Sequence, residues 1–177
     1  MQKRMAFLSS MILLFTVGAY AQMSGQKRPS PPAKAECKFS DGKSIHVAYS
    51  SPRAKGRKIY GGLVPYGQPW RTGANEATTF VNDADVTIGG KTVPAGNYTM
   101  FTVPEQNKWS LIISKKTGEW GIPYPEGNDL MRADMTVSKT SAPVEDFTIS
   151  FHEMGNGCHM YLDWENTRAT VEITEKK

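Results

Sequence analysis

No 11-residue window of the chain carries a convincing helical stripe, and no segment of its 177 residues repeats another. Beyond the first 21 residues there is no apolar run near the ~20 residues that a membrane-spanning helix needs. A phosphate-binding Gly-x-x-x-x-Gly-Lys-Ser/Thr is missing, and no serine sits in a Gly-x-Ser-x-Gly elbow. Charge of one sign is also scarce. Twenty-one Lys plus Arg stand against 17 Asp plus Glu, a formal +4 that falls to +2 once Lys3 and Arg4 are removed. Such a small excess, without a basic stripe, excludes a nucleic-acid-binding face. The three histidines, His46, His152 and His159, together with Glu153, show none of the tight spacing of a metal motif, so neither metal nor cofactor is expected.

What is present begins with Met1-Gln2-Lys3-Arg4, an apolar stretch from Met5 to Val17, and Ala19-Tyr20-Ala21 before Gln22. This positive, apolar and small-residue order is that of a secretory signal peptide over residues 1–21, cleaved after Ala21. The mature protein is therefore expected to be soluble and periplasmic or secreted. Only two cysteines occur, Cys37 and Cys158, both beyond the signal. An oxidising compartment makes their pairing the default, closing a loop of about 120 residues worth at most roughly 4 to 5 kcal/mol.

Residues 22–36, with Gly25, Pro29, Pro31 and Pro32, read as a flexible tether, and residues 37–177 as a single domain. Short alternating runs separated by turn residues predict an all-β antiparallel sandwich of about nine strands. Gly89-Gly90 marks a two-residue hairpin that pairs Val86 with Val93 and Thr87 with Thr92. Asn156-Gly157 marks a second, whose register sets Phe151 opposite Leu162, Ile149 opposite Trp164 and His152 opposite Tyr161. The same parity turns Cys158 inward. Trp109 to Ile113 is apolar on both faces, which predicts a central strand covered on both sides.

The outlier is 51–76, a segment with five glycines and three prolines that is far longer than an ordinary connection of about 4 to 6 residues. It concentrates Arg53, Arg57 and Arg71 beside Trp70, Asn75 and Glu76, and these six are the candidate ligand-binding residues. Guanidinium groups offer bidentate donors to carboxylate, phosphate or sugar hydroxyls, while Glu76 could move a proton. A structural role competes with this: Arg57 or Arg71 pairs with Glu76 to pin the loop, and Trp70 plugs the end of the sandwich. Arg132, by contrast, reads as a residue on a solvated strand face. A second stiff aromatic loop contains Trp120, Pro123, Tyr124 and Pro125.

The stretches Tyr49-Ser50-Ser51-Pro52-Arg53, Gly56-Arg57-Lys58-Ile59-Tyr60-Gly61, Leu63-Val64-Pro65-Tyr66-Gly67 and Trp70-Arg71-Thr72-Gly73-Ala74-Asn75-Glu76-Ala77-Thr78 closely resemble the signature of a bacterial exported family, the domain of unknown function (DUF) 2911. The likeness continues through Gly89-Gly90-Lys91, Pro94-Ala95-Gly96-Asn97-Tyr98, Trp109 and Trp120-Gly121 to the strand from Glu145 to Phe151. It implies an exported β-rich domain and supplies no catalytic residues.

The reading that follows is a non-enzymatic binding module that takes a small molecule, glycan or protein through the 51–76 loop. The alternatives are a hydrolase-like enzyme, with Glu76 as acid or base and Arg57 or Arg71 steadying negative charge, and a purely structural envelope protein. Glycosidase chemistry asks for two carboxyls across one cleft, and the suspect loop contains one.

Overall fold

The computed structural model describes residues 28–177, so the expected signal peptide and the first part of the expected tether lie outside the described residues. Nine strands and no helix make up the described chain. They are β1 (Pro32–Lys38), β2 (Ser44–Ser50), β3 (Thr78–Asn82), β4 (Val86–Ile88), β5 (Lys91–Val93), β6 (Gly96–Val103), β7 (Lys108–Ser114), β8 (Asp129–Met154) and β9 (Gly157–Glu175). All pair antiparallel in one sheet ordered β1-β2-β3-β6-β7-β8-β9-β4-β5, which does not close into a barrel.

Two strands turn this sheet into facing layers. β8 has 26 residues and β9 has 19, several times the usual ~5 to 6. Their ladder is interrupted between Lys139 and Val144 and again between Val144 and Thr148. Such irregularities bend a strand and increase its twist. β8 pairs with β7 over Asp129–Thr136 and with β9 from Thr136 onward, and it also packs against β1. Across the gap, the Ile149 N–H of β8 donates to the Tyr49 hydroxyl of β2 at 3.0 Å, and the Tyr49 and Phe147 rings meet edge to face at 5.6 Å. Cys37 of β1 and Cys158 of β9 are joined by a disulfide.

Between the layers lies one contiguous core that includes Phe80, Trp109, Leu111, Phe147 and Trp164. On the outer side of β6 and β7 a smaller cluster of Ala77, Phe101 and Ile112 is covered by Tyr124. This explains the two apolar faces of β7. Leu111 and Ile113 point into the main core, while Ile112 points into the second cluster, and β7 runs between β6 and β8.

The Gly-Gly hairpin forms as expected, with Val86 opposite Val93 and Thr87 opposite Thr92, and Gly89 and Gly90 at φ 54 and 79. Two expectations need correction. The tether ends early, because β1 starts at Pro32 and pairs along its whole length with β2. Ala33, Ala35 and Cys37 alternate with Lys34, Glu36 and Lys38, and proline is tolerated at the first residue of an edge strand, where its missing N–H breaks no ladder. The β8–β9 hairpin turns one residue earlier than expected, at Gly155-Asn156, with Met154 opposite Gly157. Phe151 therefore faces Met160, Ile149 faces Leu162, and His152 faces His159. A slip of two residues leaves every side chain on its face, so alternation alone does not distinguish the two registers. Cys158 is fully buried.

Candidate functional site

The 51–76 segment is irregular, as its glycines and prolines dictate, yet it is tied to the sheet at several points. Arg53 bridges to Asp146, and the Trp70 N–H donates to the Thr102 carbonyl at 2.7 Å while the Thr102 N–H returns a bond of 2.9 Å. Ile59, Tyr60 and Val64 are buried. The Tyr60 ring lies 4.8 Å from that of Trp109, and the Trp70 ring lies 4.9 Å from Phe147 and stacks on Trp164 at 5.9 Å. Trp70 thus continues the main core outward into the loop, and the expected plug is present.

Thr72 follows at φ 54, a left-handed conformation that is a genuine outlier for a β-branched residue. It is fully buried, and its hydroxyl lies 3.2 Å from the Trp70 carbonyl and 3.1 Å from the Thr102 hydroxyl. The Thr72 carbonyl accepts from the Thr78 hydroxyl at 2.7 Å. Strain of this kind costs about 1 to 3 kcal/mol and persists only where surrounding bonds over-determine it. It fixes the direction in which Trp70 and Arg71 leave the sheet.

Beside this strained turn opens a cleft of about 690 Å³. One wall comes from the loop, with Arg57, Leu63, Trp70 and Arg71; the other comes from Ile122 and Tyr124 in the second aromatic loop; Trp164 of β9 lies beneath. The second wall is held rigidly. The Tyr124 hydroxyl donates to the Asp129 carboxylate, Arg132 donates to the same carboxylate at 2.7 Å, and the Tyr124 ring packs edge-on against Phe101 at 5.0 Å. Burial, and then Asp129, push the Tyr124 phenol up to about 12. Arg132, expected to be merely solvated, is therefore part of the wall's support. Gly121 joins the walls at φ 82, where a Cβ would come within 3.0 Å of both Ala77 and Arg71. Only glycine allows that approach.

Of the six candidates, Arg57, Trp70 and Arg71 line the cleft, while Arg53, Asn75 and Glu76 do not. Arg53 forms an ion pair with Asp146 at 3.1 Å. The Asn75 amide donates to the Ser30 carbonyl at 3.2 Å. The expected pairing of Glu76 with Arg57 or Arg71 does not occur: its two carboxylate oxygens accept from Arg28, both at 2.9 Å, on a surface where the Glu76 side chain is 52% exposed. Its own backbone N–H, and then Arg28, hold the Glu76 carboxyl below the usual range. The partner lies 48 residues away, in the chain that leads into β1.

The two cleft arginines are consequently outside every ion pair found among the described residues. Arg57 donates to the carbonyls of Ala54 at 3.0 Å and Arg53 at 2.6 Å. Arg71 donates to the Trp120 carbonyl at 3.3 Å, and its guanidinium lies 5.4 Å from the Trp120 ring centre. Burial depresses the Arg71 pKa from its ordinary value, with Glu76 opposing weakly at a distance. Nothing in the sequence links Leu63 or Ile122 to the loop arginines, whereas Tyr124 and Pro123 mark the second loop as stiff and aromatic. Among the described residues no group of three or more His, Cys, Asp or Glu side chains converges as a metal site would require.

Comparison with known proteins adds one match. Residues 30–173 match the family described as protein of unknown function (DUF2911). No curated protein and no solved structure matches the chain. The matched residues take in both walls of the cleft and almost all of the sheet, from the approach to β1 to the last turn of the ladder in β9, and the chain belongs to the DUF2911 family.

Proposed function

We propose that this domain is a non-catalytic binding module, working outside the cytoplasm, whose ligand occupies the cleft between the 51–76 loop and the second aromatic loop. The observation that carries this reading is a mostly apolar cleft with rigid aromatic walls and two arginines, lined by no carboxyl side chain. Pockets that bind small molecules combine apolar walls with a few fixed polar groups in this way. The Cys37–Cys158 bridge supports an oxidising compartment, consistent with the secretory pattern of residues 1–21. Glu76 lies outside the cleft, faces solvent and is favoured in its ionised form, the opposite of what a general acid near neutral pH requires.

The reading is tested with a neutral aromatic probe, N-phenyl-1-naphthylamine, titrated into the mature protein and followed by its own fluorescence and by tryptophan quenching. Saturable one-site binding is expected, weakened about tenfold or more in Ile122→Glu, a substitution at an exposed cleft residue. Absence of saturable binding, or equal affinity in the variant, would remove the cleft as the site.

A further inference from the structure

The cleft also specifies a ligand chemistry, and the argument rests on the reading just given. We infer that its ligand is a largely apolar molecule carrying a single carboxylate, with the carboxylate received by Arg71 and Arg57 and the apolar body lying along Trp70, Leu63 and Ile122.

Charge is the first reason. Arg57 and Arg71 both line the cleft, neither is in an ion pair among the described residues, and no acidic side chain lines it; Glu145 and Glu165 lie in the neighbouring groove, on the other side of Arg57. Arg71 is partly desolvated, and its one acidic neighbour, Glu76, lies outside the cleft and is bonded to Arg28, so an anionic ligand in the cleft would relieve it. The second reason is donor geometry. A guanidinium has five N–H donors. Arg57 commits donors to two backbone carbonyls and Arg71 to one, so each keeps at least three for a ligand. Those same carbonyl contacts, with the Trp120 ring beside Arg71, hold both groups in place before anything binds. Planar forks of this kind match carboxylate oxygens two at a time.

The number of charges and the nature of the body follow from the rest of the lining. Carbonyl oxygens of Arg53, Ala54 and Trp120 already face the arginines, which reduces the field available to a dianion. A sugar needs side-chain acceptors for its hydroxyls. Here the polar lining apart from the arginines consists of Ser30, Gln68 and a Tyr124 hydroxyl already bonded to Asp129. Leucine, isoleucine, proline and tryptophan surfaces make up most of what remains, and they favour an apolar body.

Three ligands of one shape separate the possibilities: 2-naphthoate, 2-naphthamide and 2-naphthyl phosphate, titrated calorimetrically into the mature protein at neutral pH. The acid is expected to bind about tenfold or more tighter than the amide, with a preference that shrinks as salt is added. In Arg71→Met the ratio of acid to amide affinity should fall towards one; Arg57→Met serves as the second variant if the first does not fold. Equal binding of acid and amide by the wild type overturns the carboxylate assignment while leaving the cleft itself in use. Failure of all three ligands to bind removes both readings together. Tighter binding of the phosphate overturns the single charge, and a preference that survives both arginine variants overturns their role.

Discussion

Tyr124 shows how much of the cleft's rigidity rests on one hydroxyl. Its phenol is pushed up to about 12 by burial and by the Asp129 carboxylate it donates to, against an ordinary value near 10. A group whose folded pKa is raised favours the folded state below its unfolded value, and that contribution fades as pH rises through the folded one. The window is therefore pH 10 to about 12, and the loss is of a neutral donor at the second wall. Spectrophotometric titration of Asp129→Asn should show one phenol ionising at lower pH than in the wild type, and stability should fall less between pH 10 and about 12. An unchanged titration curve would mean that Asp129 does not govern this tyrosine. None of this was legible from the sequence. Tyr124 stands out there only as an aromatic between two prolines, because Asp129 and Arg132 reveal themselves as its partners only once β8 begins beside the loop.

At the scale of the element, the 51–76 segment divides into residues that hold it and residues it presents. Trp70 belongs to the first group through its stacking on Trp164 and its paired bonds with Thr102. Arg71 belongs to the second, since it has only a long bond to a carbonyl and an aromatic neighbour. Trp70→Ala should cost about 3 to 5 kcal/mol in urea unfolding, as large aromatic truncations in cores do. Arg71→Ala should cost under about 1 kcal/mol, since no buried ion pair is broken. Comparable losses in the two variants would show that Arg71 is structural after all. The sequence exposes the length and irregularity of this segment, its arginine content and the plugging role of Trp70, because each is a local property. It does not expose which acid pairs with which base. Arg28 reaches Glu76 only because β1 begins at Pro32 and carries the preceding residues across the loop, and that strand was hidden by two prolines and by alanines too small to signal a buried face. The β8–β9 register shows the same limit: alternation determines which face a residue occupies, while turn geometry decides its partner.

For the whole molecule, the disulfide joins an edge strand to one of the two long strands across a sequence separation of 121. Chain-entropy reasoning values such a closure at roughly 4 to 5 kcal/mol before any native-state strain. Treatment with tris(2-carboxyethyl)phosphine, or the double change Cys37→Ala with Cys158→Ala, should destabilise the fold by a corresponding amount, with a lower midpoint of urea unfolding and a steeper transition as the unlinked denatured chain expands. A midpoint that does not move would mean that β1 stays in place without its covalent link. The long strands carry a further consequence. β8 and β9 belong to both layers, so neither layer has a complete set of strands of its own. A partly unfolded form that kept one layer and released the other would have to break the hydrogen-bonded ladder in mid-strand, at the bends near Val144, and expose the shared core on both sides of the break. Opening one layer thereby removes the support of the other, and the domain has no smaller cooperative unit to fall back on.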